Sequence, residues 1–470
     1  MMSKLKLTVN DSKTRVCKLP EEKFDFLGYT FGRCYSPKTG RAHLGAKPST
    51  KRVQRICQAI SQETGRNKTL LAQETVITTL NRMMIGWANY FCLGPVSSAY
   101  RAVERHARLK AGTYKAPPVR RVEIAKGPGK VGTRPLGIPT VEDRLVQRAV
   151  ARILEAVFEA DFLDCSYGFR PGRSPHQALR TLRSTLISKK VRHLYEADIR
   201  GYFNHINHQW LMRMVAHRIA DSVILRLIGK WLRAGVMQDG VVVRMEEGTP
   251  QGGPLSPLLA NVYLHFVLDL WFEKKVRYWF RGEAYLLRFA DDFVASFQYK
   301  RDAENFDRYL RKRFARFNLE LADEKTRLLL FGRFAATTKA AYNERPGTFD
   351  FLGVEHVCGI GHRGEFAVVR LPSKKSCRKF LARTQEWLSG HRHWKRRDQQ
   401  RQLTMMLRGF YQYFGLHHCK PKLDMVRREV QLQWIRVLRR RSQRHRLFWC
   451  YLTNCAWFEL PYAELRHTTI

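Results

Sequence analysis

No apolar stretch in these 470 residues approaches the ~18 needed for a bilayer-spanning helix. The first fifteen residues lack the apolar run of a secretory signal. No basic amphipathic helix or lipidation signal marks a membrane-surface protein. Ten cysteines are scattered from Cys17 to Cys455, with no CxxC pair and no zinc-finger spacing. That excludes a disulfide-stapled fold and fits reduced thiols in a cytosolic chain. His417-His418-Cys419 is the one cluster with metal-binding residue types. Adjacent side chains diverge on any regular element, and no second ligand pair lies at a usual spacing. Acidic residues are also in short supply.

Against 41 acidic residues stand 84 lysines and arginines, a formal net charge of +43. Such a surplus repels itself unless a polyanion shares the surface, and nucleic acid is the polyanion it fits. Hydrophobic residues make up 44% of the chain, so globular cores are expected, in roughly three domains by length.

The chain repeats itself. Lys13-Thr14-Arg15 recurs as Lys325-Thr326-Arg327, and Phe24-Asp25-Phe26-Leu27-Gly28 recurs as Phe349-Asp350-Phe351-Leu352-Gly353. Gly86-Trp87-Ala88-Asn89-Tyr90-Phe91 is echoed by Gly409-Phe410-Tyr411-Gln412-Tyr413-Phe414. The second and third landmarks lie 58 positions apart in the first copy and 56 in the second. Leu403, Leu407, Phe410 and Phe414 share one face of a helix, as do Leu80, Met84, Trp87 and Phe91; core packing is the simplest role for both stripes. The segment to about residue 107 is therefore expected to duplicate the C-terminal segment, with a seam near residues 108–113. Between the copies, short apolar strands (193–197, 286–289, 293–297) mix with helices (142–158, 255–267), which predicts an α+β fold.

Two of those strands meet at Ala290-Asp291-Asp292. Adjacent acids at a hairpin tip repel unless a cation lies between them. A third acid, Asp198, ends the strand at 193–197. If the strands are neighbours, Asp198, Asp291 and Asp292 converge, and such a trio suits two Mg²⁺ ions in phosphoryl transfer. By itself an Asp-Asp pair is more often a polar turn.

Its companions decide otherwise. Phe289-Ala290-Asp291-Asp292 resembles the FxDD box of reverse transcriptases. Gln251 to Asn261, Ser166 to Ser174, and Arg134 to Thr140 with Asp143-Arg144 resemble motifs of the group II intron branch. The resemblance runs over residues 118–353 and on through the basic C-terminal helices. It implies a right-hand polymerase with fingers and palm at 108–353, a thumb and maturase-like region at 354–470, and an additional helical N-terminal copy at 1–107. It implies Mg²⁺, with Mn²⁺ as a substitute, and an RNA template or intron RNA, a DNA primer and dNTPs as partners. It further implies that Asp198, Asp291 and Asp292 hold the metals and that Lys130, Arg134 and Lys325 meet the triphosphate. Phe203 would exclude a ribose 2′-hydroxyl, while Gln251 and Gly252 underlie the nascent pair. Arg144, Arg170, Arg173 and Phe289 would contact nucleic acid, and Phe349, Leu352 and Gly353 would grip the primer. Asn204 and Asn207 stand where the family pattern has Asp, and no segment after residue 440 resembles the family's endonuclease. The N-terminal copy, with Lys51, Arg52, Arg55, Arg82, Arg101, Arg105 and Arg108, either binds RNA or is a relic of fusion. A non-catalytic maturase and a decayed fusion product are the rival readings of the whole chain.

Overall fold

The computed structural model describes residues 17–19, 21–35, 42–64, 73–93, 97–110, 114–125, 133–238, 241–243, 248, 252–335, 346–361, 363–441, 448–449, 455–465 and 467. The chain divides into two units, Met1–Lys115 and Ala116–Ile470. No helix among the described residues is long and apolar enough to cross a membrane.

In the first unit an antiparallel sheet is made by β1 (Phe24–Phe26), β2 (Tyr29–Tyr35) and β3 (Ala42–Pro48). Three helices follow: α1 (Thr50–Glu63), α2 (Gln73–Tyr90) and α3 (Ser97–Lys110). Ser49 caps α1 by accepting the Arg52 amide, one of the orphan donors a helix start must satisfy. Ile56, Ile60 and Val103 form a small core that Leu80, Met84 and Trp87 pack against. The helical stripe expected there is a core stripe.

The second unit contains two four-stranded sheets. One is β5-β4-β7-β8, from β4 (Val119–Ala125), β5 (Thr133–Ile138), β7 (Val236–Gln238) and β8 (Val241–Val243). The other, the palm sheet, is β11-β6-β10-β9, all antiparallel. It is built from β6 (His193–Ala197), β9 (Ala284–Phe289), β10 (Asp292–Phe297) and β11 (Arg327–Leu330). Between them run α4 (Val141–Phe158), α5 (Pro175–Ser188), α6 (His208–Ala216), α7 (Ser222–Leu232) and α8 (Ser256–Leu264). A π-helical turn at His265–Asp269 joins α8 to α9 (Leu270–Lys274). α10 (Lys300–Arg316) packs Phe306 and Phe314 against Phe297 and Phe293 of the palm sheet. α5 starts on a full capping box, Ser174 with Gln177, and has Pro175 in its first turn, where a missing N–H costs nothing.

A second three-stranded sheet, β12 (Phe349–Phe351), β13 (Val354–Ile360) and β14 (Phe366–Pro372), leads into α11 (Lys374–Gly390), α12 (Arg396–Phe414) and α13 (Lys420–Arg439). Leu403, Leu407, Phe410 and Phe414 of α12 are all buried, each stabilising the fold by about 1.5–3 kcal/mol. They share one core with Leu179 and Leu182 of α5 and Leu194 of β6.

The repeat seen in the sequence is a repeat of structure. Leu27 and Leu352 both take left-handed backbone angles (φ 50° and 52°), each followed by a glycine at φ 84° or 75°. The Ser49 amide donates to the Gly28 carbonyl as the Ser373 amide does to Gly353. The Tyr90 hydroxyl donates to the Leu27 carbonyl at 3.0 Å, and the Tyr413 hydroxyl to the Leu352 carbonyl at 3.0 Å.

Candidate active site

Pairing of Asp292 with Phe289 closes the β9–β10 hairpin over Ala290-Asp291. Ala290 sits at φ 58°, a left-handed conformation costly for a residue with a Cβ. β10 then pairs with β6 in a register that sets Phe293 opposite Ala197. The next residues past that pair are Asp292 and Asp198, and both line one cleft. Backbone register, not loop conformation, thus brings the two acids together.

Asp198 is held from behind as well. Its carbonyl accepts the Ala322 amide at 2.8 Å, and Arg200 N–H donates to the Glu320 carbonyl. The Lys325 ammonium donates to Asp198 Oδ2, and this contact raises the lysine's pKa. Asp292 opens on the cleft, yet protein crowds it from most sides. That desolvation, then the charges of Asp291 and Asp198, push its carboxyl up to about 6, while Lys325 and Lys375 pull the other way.

The strained turn is held in place by a buried arginine. Arg288 is fully buried and forms a two-pronged ion pair with Asp269, at 2.8 and 2.6 Å. Its remaining donors go to the Asn261 side chain, the Ser166 hydroxyl and the Ala290 carbonyl at 2.9, 2.7 and 2.8 Å. Asn261 in turn donates to the Gly168 carbonyl at 2.6 Å. Gly168 lies so close that a Cβ there would collide with the Ala290 amide. Two of the recognised motifs therefore meet behind the Ala290-Asp291 turn as its support. Neither Arg288 nor Asp269 was expected from the sequence. The available signal was a lone charge inside each of two apolar runs, since a charge buried that way requires a partner.

A cleft of about 510 Å³ opens in front of the acids, with Asp198, Asp292, Lys325, Lys375, Leu352 and Gly353 among its walls. Gly252 takes φ 118° with the Gly137 carbonyl 2.6 Å from where a Cβ would stand, so glycine is required there. Phe203 is half-buried against Tyr202, ring centres 5.4 Å apart, and Tyr202 is tied to the Ala260 carbonyl at 2.6 Å. Arg144 is exposed on α4, and Phe289 is half-buried against the core. Lys130, Gln251 and the side chain of Arg134 lie outside the described residues, as do Lys13, Thr14 and Arg15.

Three placements depart from expectation. Arg170 is buried, with its donors spent on Glu159 and on the carbonyls of Leu163 and Ser166; it braces the loop and does not face a template. Arg173 is paired with Asp164 at 2.5 Å and stacks over Tyr167. Phe349 is inside the core, stacked on His356 at 4.6 Å and edge-on to Phe331 at 4.9 Å. It supports the turn that Leu352 and Gly353 present to the cleft. Asn207 has a local task as well: its side chain caps α6 by accepting the Trp210 amide at 3.1 Å, a job Asn does as well as Asp.

Hard carboxylate oxygens in facing pairs suit a divalent cation of the Mg²⁺ type. Asp292, raised by desolvation and then by its acidic neighbours, is short of countercharge in the way such a site requires. As the side chains stand, no three His, Cys, Asp or Glu groups among the described residues close into a cage. Asp198 instead turns one oxygen to Lys325.

An antiparallel palm sheet with acids on a hairpin tip and on the neighbouring strand defines the palm of a right-hand polymerase. A model of the reverse transcriptase (RNA-dependent DNA polymerase) family matches residues 124–356, and one of the group II intron maturase-specific domain matches residues 53–112. The chain is 34% identical to Protein YkfC of Escherichia coli K12, over 58% of this chain and 76% of that one. It is 48% identical to the group II intron-encoded protein LtrA of Lactococcus lactis subsp. cremoris, over 34% of this chain and 27% of that one. It is also 36% identical to a 91 kDa protein in the cob intron of Schizosaccharomyces pombe, over 46% and 25%. The chain belongs to the group II intron reverse transcriptase and maturase family. The matched stretch spans about a quarter of the Lactococcus protein's length.

Proposed function

We propose that this chain is an RNA-directed DNA polymerase that adds dNTPs to a primer 3′-hydroxyl. Its basic helical regions would hold intron RNA for splicing or mobility. The observation that supports the reading best is the ladder that brings Asp198 and Asp292 to the wall of one cleft in a strongly basic chain.

In the reaction the primer 3′-oxygen attacks the α-phosphorus in line. The new O3′–P bond forms as the bond to the bridging oxygen breaks, pyrophosphate leaves, and the hydroxyl proton goes to solvent. Asp198, Asp291 and Asp292 are the groups that would hold Mg²⁺, which when bound lowers the hydroxyl's pKa and offsets charge on the pyrophosphate. Lys325, which donates to Asp198 Oδ2 beside the cleft, would meet the triphosphate. Phe203 excludes a ribose hydroxyl by bulk. Leu352 and Gly353 bear on the primer end and hold it in line. Arg288 touches no substrate; it positions the turn. Residues 108–353 are read as fingers and palm, 354–470 as thumb and maturase-like region, and 1–107 as the partial copy of the latter. No endonuclease step is assigned.

Primer extension on an RNA template, with dNTPs and Mg²⁺, tests this. Template-directed product is expected from the wild-type chain and none from Asp292→Ala or Asp198→Ala. No product from folded, RNA-binding wild-type protein would leave a splicing role alone.

A further inference from the structure

The two copies of the repeated module differ in how far one apolar face is covered. In the C-terminal copy, Phe351 is 3% exposed and Leu416 0%; their counterparts Phe26 and Leu93 are 59% and 63% exposed. Leu352 and Tyr413 are half-buried against the same core, while Leu27 and Tyr90 are exposed. The N-terminal face keeps its apolar side chains and its internal geometry. The Tyr90–Leu27 hydrogen bond matches Tyr413–Leu352 in length. What it lacks, among the described residues, is a cover.

The C-terminal copy shows what cover this face accepts. Phe351 and Leu416 belong to the same core as Tyr167, Leu179, Leu182 and Phe331, and α5 meets this module at β14 and at Tyr413. His176, in the first turn of α5, donates from Nε2 to the Tyr413 carbonyl at 2.9 Å, and its ring lies 5.3 Å from that of Tyr413. Leu416 also bridges to His467 near the end of the chain. Contiguous exposed apolar residues of this kind mark a protein contact.

We propose that the Phe26–Leu27–Tyr90–Leu93 face docks on the α5 side of a second reverse transcriptase body, one lacking a C-terminal module of its own. This chain's α5 already carries its own C-terminal copy, so the occupant comes from another polypeptide. Docking requires no catalysis by either partner and stands apart from the polymerase reading.

The test co-expresses the tagged full chain with a recipient comprising residues 116–347. The wild-type chain is expected to retain the recipient at one-to-one stoichiometry. The Phe26→Ser/Leu93→Ser variant should retain it about a hundredfold less tightly, as for two large apolar groups taken out of an interface. A recipient left insoluble or unbound beside the wild-type chain overturns the proposal. So does self-association of the full chain that the same variant abolishes, since the occupant would then be a second copy. The variant also has a readout without the recipient. Substitutions on a free face leave the melting temperature of the full chain unchanged, and a clear loss of stability would show the face already covered, overturning the proposal equally.

Discussion

Replacing Asp269 by Asn leaves the Arg288 guanidinium buried without the carboxylate that is its ion-pair partner. Both side chains are fully buried, so water cannot take over the missing role. Breaking one partner of a buried pair costs about 3–5 kcal/mol. For a unit of this size that corresponds to a fall in melting temperature of roughly 4–7 °C. Arg288→Met should cost a similar amount, because it strands the Asp269 carboxylate instead. The double variant Arg288→Met/Asp269→Leu removes both charges and should lose less stability than either single change, an interaction that a double-mutant cycle measures directly. Activity should behave differently. Arg288 also holds the Ala290 carbonyl of the turn that bears the proposed metal-binding acids, so the double variant should recover stability without recovering primer extension. Thermal unfolding followed by circular dichroism, with extension assays on the same samples, reads both. Additive losses, or single variants that melt with the wild type, would refute the account of this pair. Extension restored in the double variant would refute the positioning role.

Gly168→Ala should shift the turn by placing a Cβ against the Ala290 amide; extension is expected to fall at least tenfold, by about 1.4 kcal/mol or more, while RNA affinity in a filter assay stays level. Asp292 has a folded pKa of about 6, above its unfolded value, so its ionisation disfavours the native state as pH rises from near 4 through 6. In metal-free buffer at pH 7.5, Asp292→Asn should therefore melt higher than wild type, and added Mg²⁺ should raise the melting temperature of wild type but not of the variant. His356 is buried with its pKa lowered to about 3 by burial and by Arg370. The unfolded chain takes up a proton below about pH 6.5 that the folded chain refuses, so the stability due to this group is present above that pH and lost as pH falls towards 3. An acid titration of His356→Phe beside wild type should show a shallower loss over that range. Asn207→Ala should cost about 1 kcal/mol of stability and Asn207→Asp next to nothing, as expected of a helix cap.

Residues whose role is local or repeated were the ones the sequence disclosed. Asp291 and Asp292 stand between two apolar strands, and Asp198 ends a third, so the approach of Asp198 to Asp292 needed only the strands to be neighbours. The duplication was visible because both copies keep the same landmarks in the same order. Arg170 and Phe349 misled for one reason: a motif identifies a residue type and position, while burial is decided by elements far away in the chain. Arg170 meets Glu159 and two carbonyls only after the loop has folded over the end of α4. The Arg288 network was hidden by distance as well. Ser166, Asn261, Asp269 and Arg288 come from four segments, and no local spacing pairs them. The lone charge in an apolar strand was the one clue.

The β6–β10 ladder also protects the site against error. The two faces of β10 are unequal: Phe293 and Phe297 meet the phenylalanines of α10, while Val294 joins the core that contains α5. A slip of one residue would drive both aromatic rings into the space that Val294 now fills and leave gaps beneath α10. The same slip would break the approach of Asp198 to Asp292. A chain misaligned at these acids is thus a chain with a badly packed core, and the folding equilibrium rejects it before any substrate arrives.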